Sequence, residues 1–492
     1  MVAISDAVPA GAVARVLGIK TGFVDLREGN ILFLPQRIAV IAQGNSAAVY
    51  TTDKQQVLSR KQAGDLYGYG SPIERIVNQL LPANGDGVGT IPVTIYPLED
   101  SLTGVPAAGS IDAAGVQAGT ESYVVKVNEI PTASFSIPDL STADVALGII
   151  KTAIDAVVEM PILTGVVAAG SLPVTAKWDG ETGNGIVIEI EGEASGIVYT
   201  ITQPAGGANN PDVQDALDLI GDVWETMVVS GLNYDDSDTL DKYDTFNEGR
   251  WLPLGRQPLV VFTGFLGDEA TGVAVTDARK NDRTNVFASA PGSNNLPFVV
   301  AARNVARAAV IANQNPPHDY AGRRLTGIVP GPDSDQWDYL TRNDAVSKGL
   351  STVKLVDGVL EMDDTVSMYH PTGEEIPGYR YVADIVKLQN IIFNLALIFE
   401  SDDWKGKPLV DDGTPTTNPD ARKPKDAKAA VATMIDSLAA EAIISEPETA
   451  KASIQAEIDG ANPKRINVAF TAKISGNTNI VSIDFKFGFD FG

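Results

Sequence analysis

From Val481 to the last residue, apolar and polar positions alternate without a break. Val481, Ile483, Phe485, Phe487, Phe489 and Phe491 fall on one side; Ser482, Asp484, Lys486, Gly488, Asp490 and Gly492 fall on the other. Successive side chains of a strand point to opposite faces, so the pattern predicts a strand with one buried face. An edge carrying four phenylalanines invites aggregation unless another strand covers it. Two partners would do so. One is the sheet of a second subunit, which makes residues 481–491 an inter-subunit strand and is the reading taken here. The other is this chain's own residues 466–474, reached through a turn at Ser475-Gly476-Asn477.

Residues 353–399 carry the clearest pattern. Two apolar runs, 353–356 and 359–362, flank Asp357-Gly358, whose glycine accepts the positive φ of a tight hairpin turn. From Tyr379, residues Asp384, Lys387, Asn390 and Asn394 recur at helical spacing, with Val382, Ile385, Val386, Leu388, Ile391, Ile392, Phe393, Leu395 and Ile398 around the rest of the circumference. A helix with so narrow a polar stripe has to be covered on nearly every side, either as the spine of a domain or as a contact between subunits.

Elsewhere, strands are predicted at 38–42, 92–96, 258–262 and 286–288, and helices at 213–229, 275–283 and 298–312, the last bearing Arg303 and Arg307 one turn apart. Ser71-Pro72 reads as a helix N-cap followed by proline at the first helical position. Strands alternating with helices predict an α/β (α+β) core in which helices cover a mixed sheet. Between about residues 100 and 210, Ala, Gly, Ser, Thr and Val dominate. Four strands (123–127, 174–178, 185–190, 196–201) with glycine-rich turns and one helix (142–158) then predict a β-rich domain inserted in the α/β core. Residues 1–30 have no helical period and read as an extended arm.

Composition narrows the function. The 492 residues are 44% hydrophobic, enough for several domains with a sizeable core. The net charge of −26, with pI near 4.4, excludes a surface for nucleic acid or anionic membrane. With no cysteine and two histidines, disulfide, thiolate and imidazole-metal chemistry drop out, and no cofactor or metal is expected. No basic residue precedes Arg15, so a secretory signal is not expected, and no apolar run approaches the roughly 20 residues that span a bilayer.

Candidate chemistry is sparse. A serine hydrolase needs an imidazole base, and His318 and His370 both sit beside prolines in turn-like stretches, with no Gly-x-Ser-x-Gly around Ser46 or Ser293. Residues 85–89 (Gly-Asp-Gly-Val-Gly) precede a strand instead of following one, so they read as a turn and not as a dinucleotide loop. Gly18-Ile19-Lys20-Thr21 lacks the strand and spacing of a phosphate loop. Asp235-Asp236-Ser237-Asp238 and Asp333, Asp335 and Asp338 lack the glycine and distal glutamate of a calcium loop and read as turns or helix caps. The exception to the acidic trend is Arg422, Lys423, Lys425 and Lys428, before a helix expected at 429–444. Cations there oppose the helix dipole, so an acidic partner is the alternative to a solvated linker.

The order of the 353–362 hairpin, Asp363-Asp364-Thr365-Val366, Tyr369-His370-Pro371 and Tyr379-Arg380-Tyr381-Val382-Ala383-Asp384 with its long apolar helix resembles the C-terminal core of tail sheath proteins of contractile phages, especially the Mu-like branch. The resemblance implies a non-enzymatic structural subunit. It would polymerise with itself, as hexameric rings in a helix, around a tail tube protein, with baseplate and tail terminator proteins at the ends and no nucleic acid or membrane insertion. It also implies a virion tail assembled in the host cytoplasm and terminal arms that complete neighbouring sheets. Together these readings divide the chain into an N-terminal arm (1–30), a first core segment (31–99), a peripheral β-rich insertion (100–212), a second core segment (213–474) and a C-terminal arm strand (475–492), with Arg422, Lys423, Lys425 and Lys428 facing the tube. A serine hydrolase with a subtilisin-like core and an adhesin-like surface protein stand as the alternatives.

Overall fold

Strand Ile38–Gln43 is buried along its whole length and pairs in parallel with Val93–Leu98 on one side and Met227–Ser230 on the other. In this computed structural model, which describes residues 32–193, 195–373 and 378–479, it lies within a six-stranded sheet. The strand order is Asn285–Ser289, Val260–Phe265, Met227–Ser230, Ile38–Gln43, Val93–Leu98, Gln55–Val57. Only Gln55–Val57 runs antiparallel, so the sheet is mixed, as the sequence predicts.

Both faces of the sheet are covered, which is why its strands read as continuous apolar runs. Ile38, Val40 and Ala42 face one core with helices Pro72–Leu80 and Pro297–Gln314; Ala39 and Ile41 face a second with Val213, Leu217, Ile220 and Tyr243. Ser71 caps the first of these helices, its side chain accepting from the Glu74 N–H, and Pro72 takes the first position as expected.

Three sequence readings are corrected. The helix expected over 213–229 is only Gln214–Ile220; Gly221, at φ 49°, ends it, and Met227–Ser230 becomes a strand because its β-branched residues complete the sheet between two parallel neighbours. The helix expected at 275–283 is Glu269–Asp277, started by Asp268 accepting from the Thr271 N–H. The helix expected at 429–444 is Pro424–Ala440, since proline fits a first helical position.

Within residues 106–205 stand two further four-stranded sheets. In one, Glu121–Val127 pairs with Ile188–Glu191, Ile130–Pro131 and Phe135–Ile137; in the other, Pro106–Gly115 lies between Ile197–Ala205 and Ser171–Asp179, which also pairs with Ile162–Thr164. Helix Ala143–Asp155 packs on them. Their apolar residues join the same core as the six-stranded sheet; Trp178 meets Phe298 edge to face at 5.9 Å. Arg75, buried on Pro72–Leu80, pairs with Glu129, and Arg60 bridges Glu74 and Glu159.

These elements form one compact unit, residues 34–389; the described residues from 390 onward, with 32–33, form a second. Helix Val382–Phe399 contributes to both. It contains Asp384, Lys387, Asn390 and Asn394 as the spacing predicts. By length and composition it is apolar enough to cross a membrane, which the sequence count of apolar runs missed, but half of it is buried in protein and it carries buried Lys387, Gln389, Asn390 and Asn394, the marks of a core helix. The hairpin before it pairs Val353 with Met362 and Val356 with Val359, and Asp357 and Gly358 have φ of 50° and 76°. Both turn residues therefore occupy the left-handed region that a two-residue hairpin demands. In the second unit, helix Pro424–Ala440 covers a core of Ile391, Val431, Met434, Ile435 and Leu438, flanked by two short ladders. The N-terminal arm (1–30) and the strand of Val481, Ile483, Phe485, Phe487, Phe489 and Phe491 lie outside the described residues.

Candidate assembly surfaces

The four cations that the sequence placed before a helix gather at the start of Pro424–Ala440, Arg422 and Lys423 preceding it and Lys425 and Lys428 lying in its first turns, and they divide into two pairs. Arg422 Nε donates to the Asp403 carbonyl at 2.6 Å, and its side chain also reaches the Pro419 carbonyl and the Asp403 carboxylate. Lys423 Nζ donates to the Thr414 carbonyl at 2.7 Å. These two hold the 403–419 loop against the helix start, helped by an ion pair between Lys407 and Asp420. Lys425 and Lys428 are exposed, and among the described residues neither ammonium has an ion-pair partner. Asp426 relieves the unfavourable dipole: its carboxylate accepts from the Lys423 backbone N–H at 2.9 Å. Nothing in the basic spacing signalled which cations are spent on the loop.

In the same unit, Ile466–Ala469 pairs with Gln455–Ile458, and Lys473–Ile474 with Ile444–Ser445. The segment offered by the sequence as an internal partner for the last strand is thus already paired on one side. No other described residue pairs with its second side.

The candidates for chemistry resolve into structural roles. His370 Nδ1 meets the Met368 carbonyl at 2.7 Å and Nε2 the Asp277 carboxylate at 3.2 Å; His318 Nδ1 meets the Asp319 carbonyl at 2.5 Å. Ser46 donates to Asp100 and Ser293 to the Val329 carbonyl, so neither serine is bonded to an imidazole. Asp236 and Asp338 are helix N-caps, accepting from the N–H groups of Thr239 and Thr341. A cleft of about 660 Å³ beside Trp337 is lined by Asp268, Glu269, Asp335 and Asp338, but two of these carboxylates, Asp268 and Asp338, are occupied as helix N-caps. Among the described residues, no three His, Cys, Asp or Glu side chains are grouped to hold a metal ion.

The loop of residues 85–89 holds a lock that sequence reasoning missed. Asp86 takes Arg307 Nη1 and Nη2, each at 2.7 Å, Arg303 Nη2 and Thr326 Oγ1 on its carboxylate, while its carbonyl accepts from Arg303 Nη1 at 2.7 Å. The Arg307 bonds above all hold the carboxyl far below the usual range. The i, i+4 arginines of Pro297–Gln314 were the available signal; their partner lies more than 200 residues earlier.

No protein-family model matches the chain. Over 426 residues it is 26% identical to the Mu-like prophage FluMu tail sheath protein of Haemophilus influenzae, covering 84% of each chain. Among solved structures, the sheath tail protein of Desulfitobacterium hafniense matches 93% of this chain and 100% of its own at 11% identity and a TM-score of 0.47. That of Listeria innocua matches 92% and 94% at 10% identity and a TM-score of 0.49. By its identity to the FluMu protein, the resemblance that residues 353–399 first suggested extends over most of the chain, which is similar to a tail sheath protein of a Mu-like prophage.

Proposed function

We propose that this chain is the structural subunit of a contractile tail sheath, polymerising helically around a tail tube and contracting to drive the tube through the host envelope. The similarity to a tail sheath protein over 84% of both chains carries this reading. Contraction in such a polymer draws on a change to a lower-energy packing and not on nucleotide hydrolysis. The partners are other copies of the chain, in hexameric rings, the tube protein and the baseplate and terminator proteins. The place of work is the virion tail, after assembly in the host cytoplasm.

Lys425 and Lys428 are the part of the basic cluster free to meet an acidic tube. Residues 481–491 are given to a neighbour's sheet, and residues 100–212 stay outside the polymer contacts. Negative-stain microscopy of the purified chain tests the reading: tubes support it, whereas a monomer that labels with an active-site serine reagent overturns it in favour of a hydrolase.

A further inference from the structure

The chain holds two Asn-Gly pairs, at 84–85 and 184–185. An asparagine before glycine can lose its side-chain amide without an enzyme. The glycine nitrogen bonds to Cγ, its proton leaves with the side-chain nitrogen as ammonia, and a succinimide forms. Water then opens the ring at one of its two carbonyls: cleavage of the bond to Cγ gives aspartate, and cleavage of the bond to the main-chain carbonyl gives isoaspartate. The reaction needs a side chain free to bend over the next amide and a following residue without Cβ.

The structure separates the two pairs. Asn84 is exposed, and its Oδ1 accepts from the Asp86 N–H at 3.1 Å, which bends the side chain forward over the Gly85 amide. Gly85 has φ of 79°, and beyond its two chain neighbours no residue comes within 4 Å of where a Cβ would stand. Its N–H is held by one bond, 3.2 Å long, to the Pro82 carbonyl. Asn184 is clamped at both ends instead. Its Oδ1 accepts from the Gly207 N–H at 2.7 Å, its Nδ2 donates to the Gly207 carbonyl at 3.0 Å, and the pair sits in the 3₁₀ turn Glu181–Gly185.

We infer that Asn84 is a site of spontaneous deamidation to isoaspartate in the folded chain, and that Asn184 is protected by its two bonds to Gly207. The site adjoins the Asp86 lock. Isoaspartate routes the backbone through the former side chain, adding a methylene two residues before Asp86 and abolishing the bond that Asn84 Oδ1 makes to the Asp86 N–H. Ageing at Asn84 therefore loosens the grip of Arg303 and Arg307 on this loop.

The test is incubation of the full chain in mildly alkaline buffer, folded and in urea, followed by tryptic mass mapping and isoaspartyl methyltransferase labelling. In the folded chain, residue 84 is expected to convert at least roughly tenfold faster than residue 184, the slowing that two ordinary hydrogen bonds impose when they must break first. In urea the two rates should converge. The inference is overturned if residue 84 keeps its amide in the folded chain while converting in urea, or if residue 184 keeps pace with it. Aged chain should melt below fresh chain, whereas Asn84→Asp, which adds the charge without lengthening the backbone, should melt with fresh chain. An aged chain melting like fresh chain would refute the coupling to the lock.

Discussion

Asp86 and Asp244 show how the same side chain serves opposite ends. Asp86 sits between two guanidiniums, one of them on Arg303, which is only 3% exposed. Asp86→Ala leaves that buried cation without its carboxylate. We expect a loss of about 3 kcal/mol, the low end for breaking a buried pair because Asp86 itself is part-exposed, read as a lower denaturant midpoint at unchanged slope. Because its folded carboxyl titrates below the unfolded one, the contribution is present above about pH 4 and fades as pH falls below that. Asp244 behaves in reverse. Burial, and then the neighbouring carboxylate of Asp282, push it up to about 7, with Glu248 adding to the rise, while Thr284 Oγ1 and Arg279 oppose it. A proton is then bound in the folded state that the unfolded chain has already lost, so stability drains away as pH climbs from about 4 to about 7. Asp244→Asn should accordingly raise stability at pH 8 by about 1–2 kcal/mol, discounted because solvent reaches the half-buried group, and change little at pH 4. Equal gains at both values would contradict the shift.

At the scale of elements, the start of helix Pro424–Ala440 separates two functions within one basic run. Reversing Lys425 and Lys428 to glutamate should leave the melting temperature unchanged or slightly higher, since both sites are exposed and carboxylates suit a helix N-terminus, yet weaken assembly on tubes. Each exposed contact is worth only about 0.2–1 kcal/mol but recurs in every subunit, so the deficit should be largest at low salt. Assembly indifferent to these charges at every ionic strength would make the cluster a solvated helix start. Reversing Arg422 and Lys423 should instead free the loop they clasp, detected as faster proteolysis within residues 403–419. The same scale explains the misread 213–229 segment. Its apolar residues satisfy helical spacing as well as strand pairing, and the choice falls to Met227–Ser230 because Ile38–Ile41 and Val260–Phe262 present complementary backbone on either side.

For the whole molecule, deletion of residues 481–492 distinguishes donation from self-pairing. Soluble folded monomers that no longer form tubes are the expected result; a monomer that itself unfolds would show that the strand completes its own fold. Replacing residues 100–212 by a Gly-Ser linker should spare polymerisation, because the six-stranded sheet is built from strands on either side of that stretch. It should also lower the melting temperature, since Phe298 loses Trp178 and the buried Arg75 loses Glu129. Folded but unpolymerised chains would place assembly contacts in the insertion.

What the sequence determined by itself was whatever local periodicity and caps dictate. The Asp357-Gly358 turn, the narrow polar stripe of Val382–Phe399, the Ser71-Pro72 helix start and the buried strands all follow from neighbours a few residues apart. The layering of helices on a sheet followed too, because strands alternate with helices along the chain. Only the tertiary structure decided which of four adjacent cations remain free, because Arg422 and Lys423 are bound by carbonyls of a folded-back loop. It alone joined Asp86 to Arg303 and Arg307, and Trp178 to Phe298. The physical reason is common to all of these. Hydrogen bonds and packing between distant segments depend on how the chain returns on itself, and no pattern of spacing along the chain encodes that return.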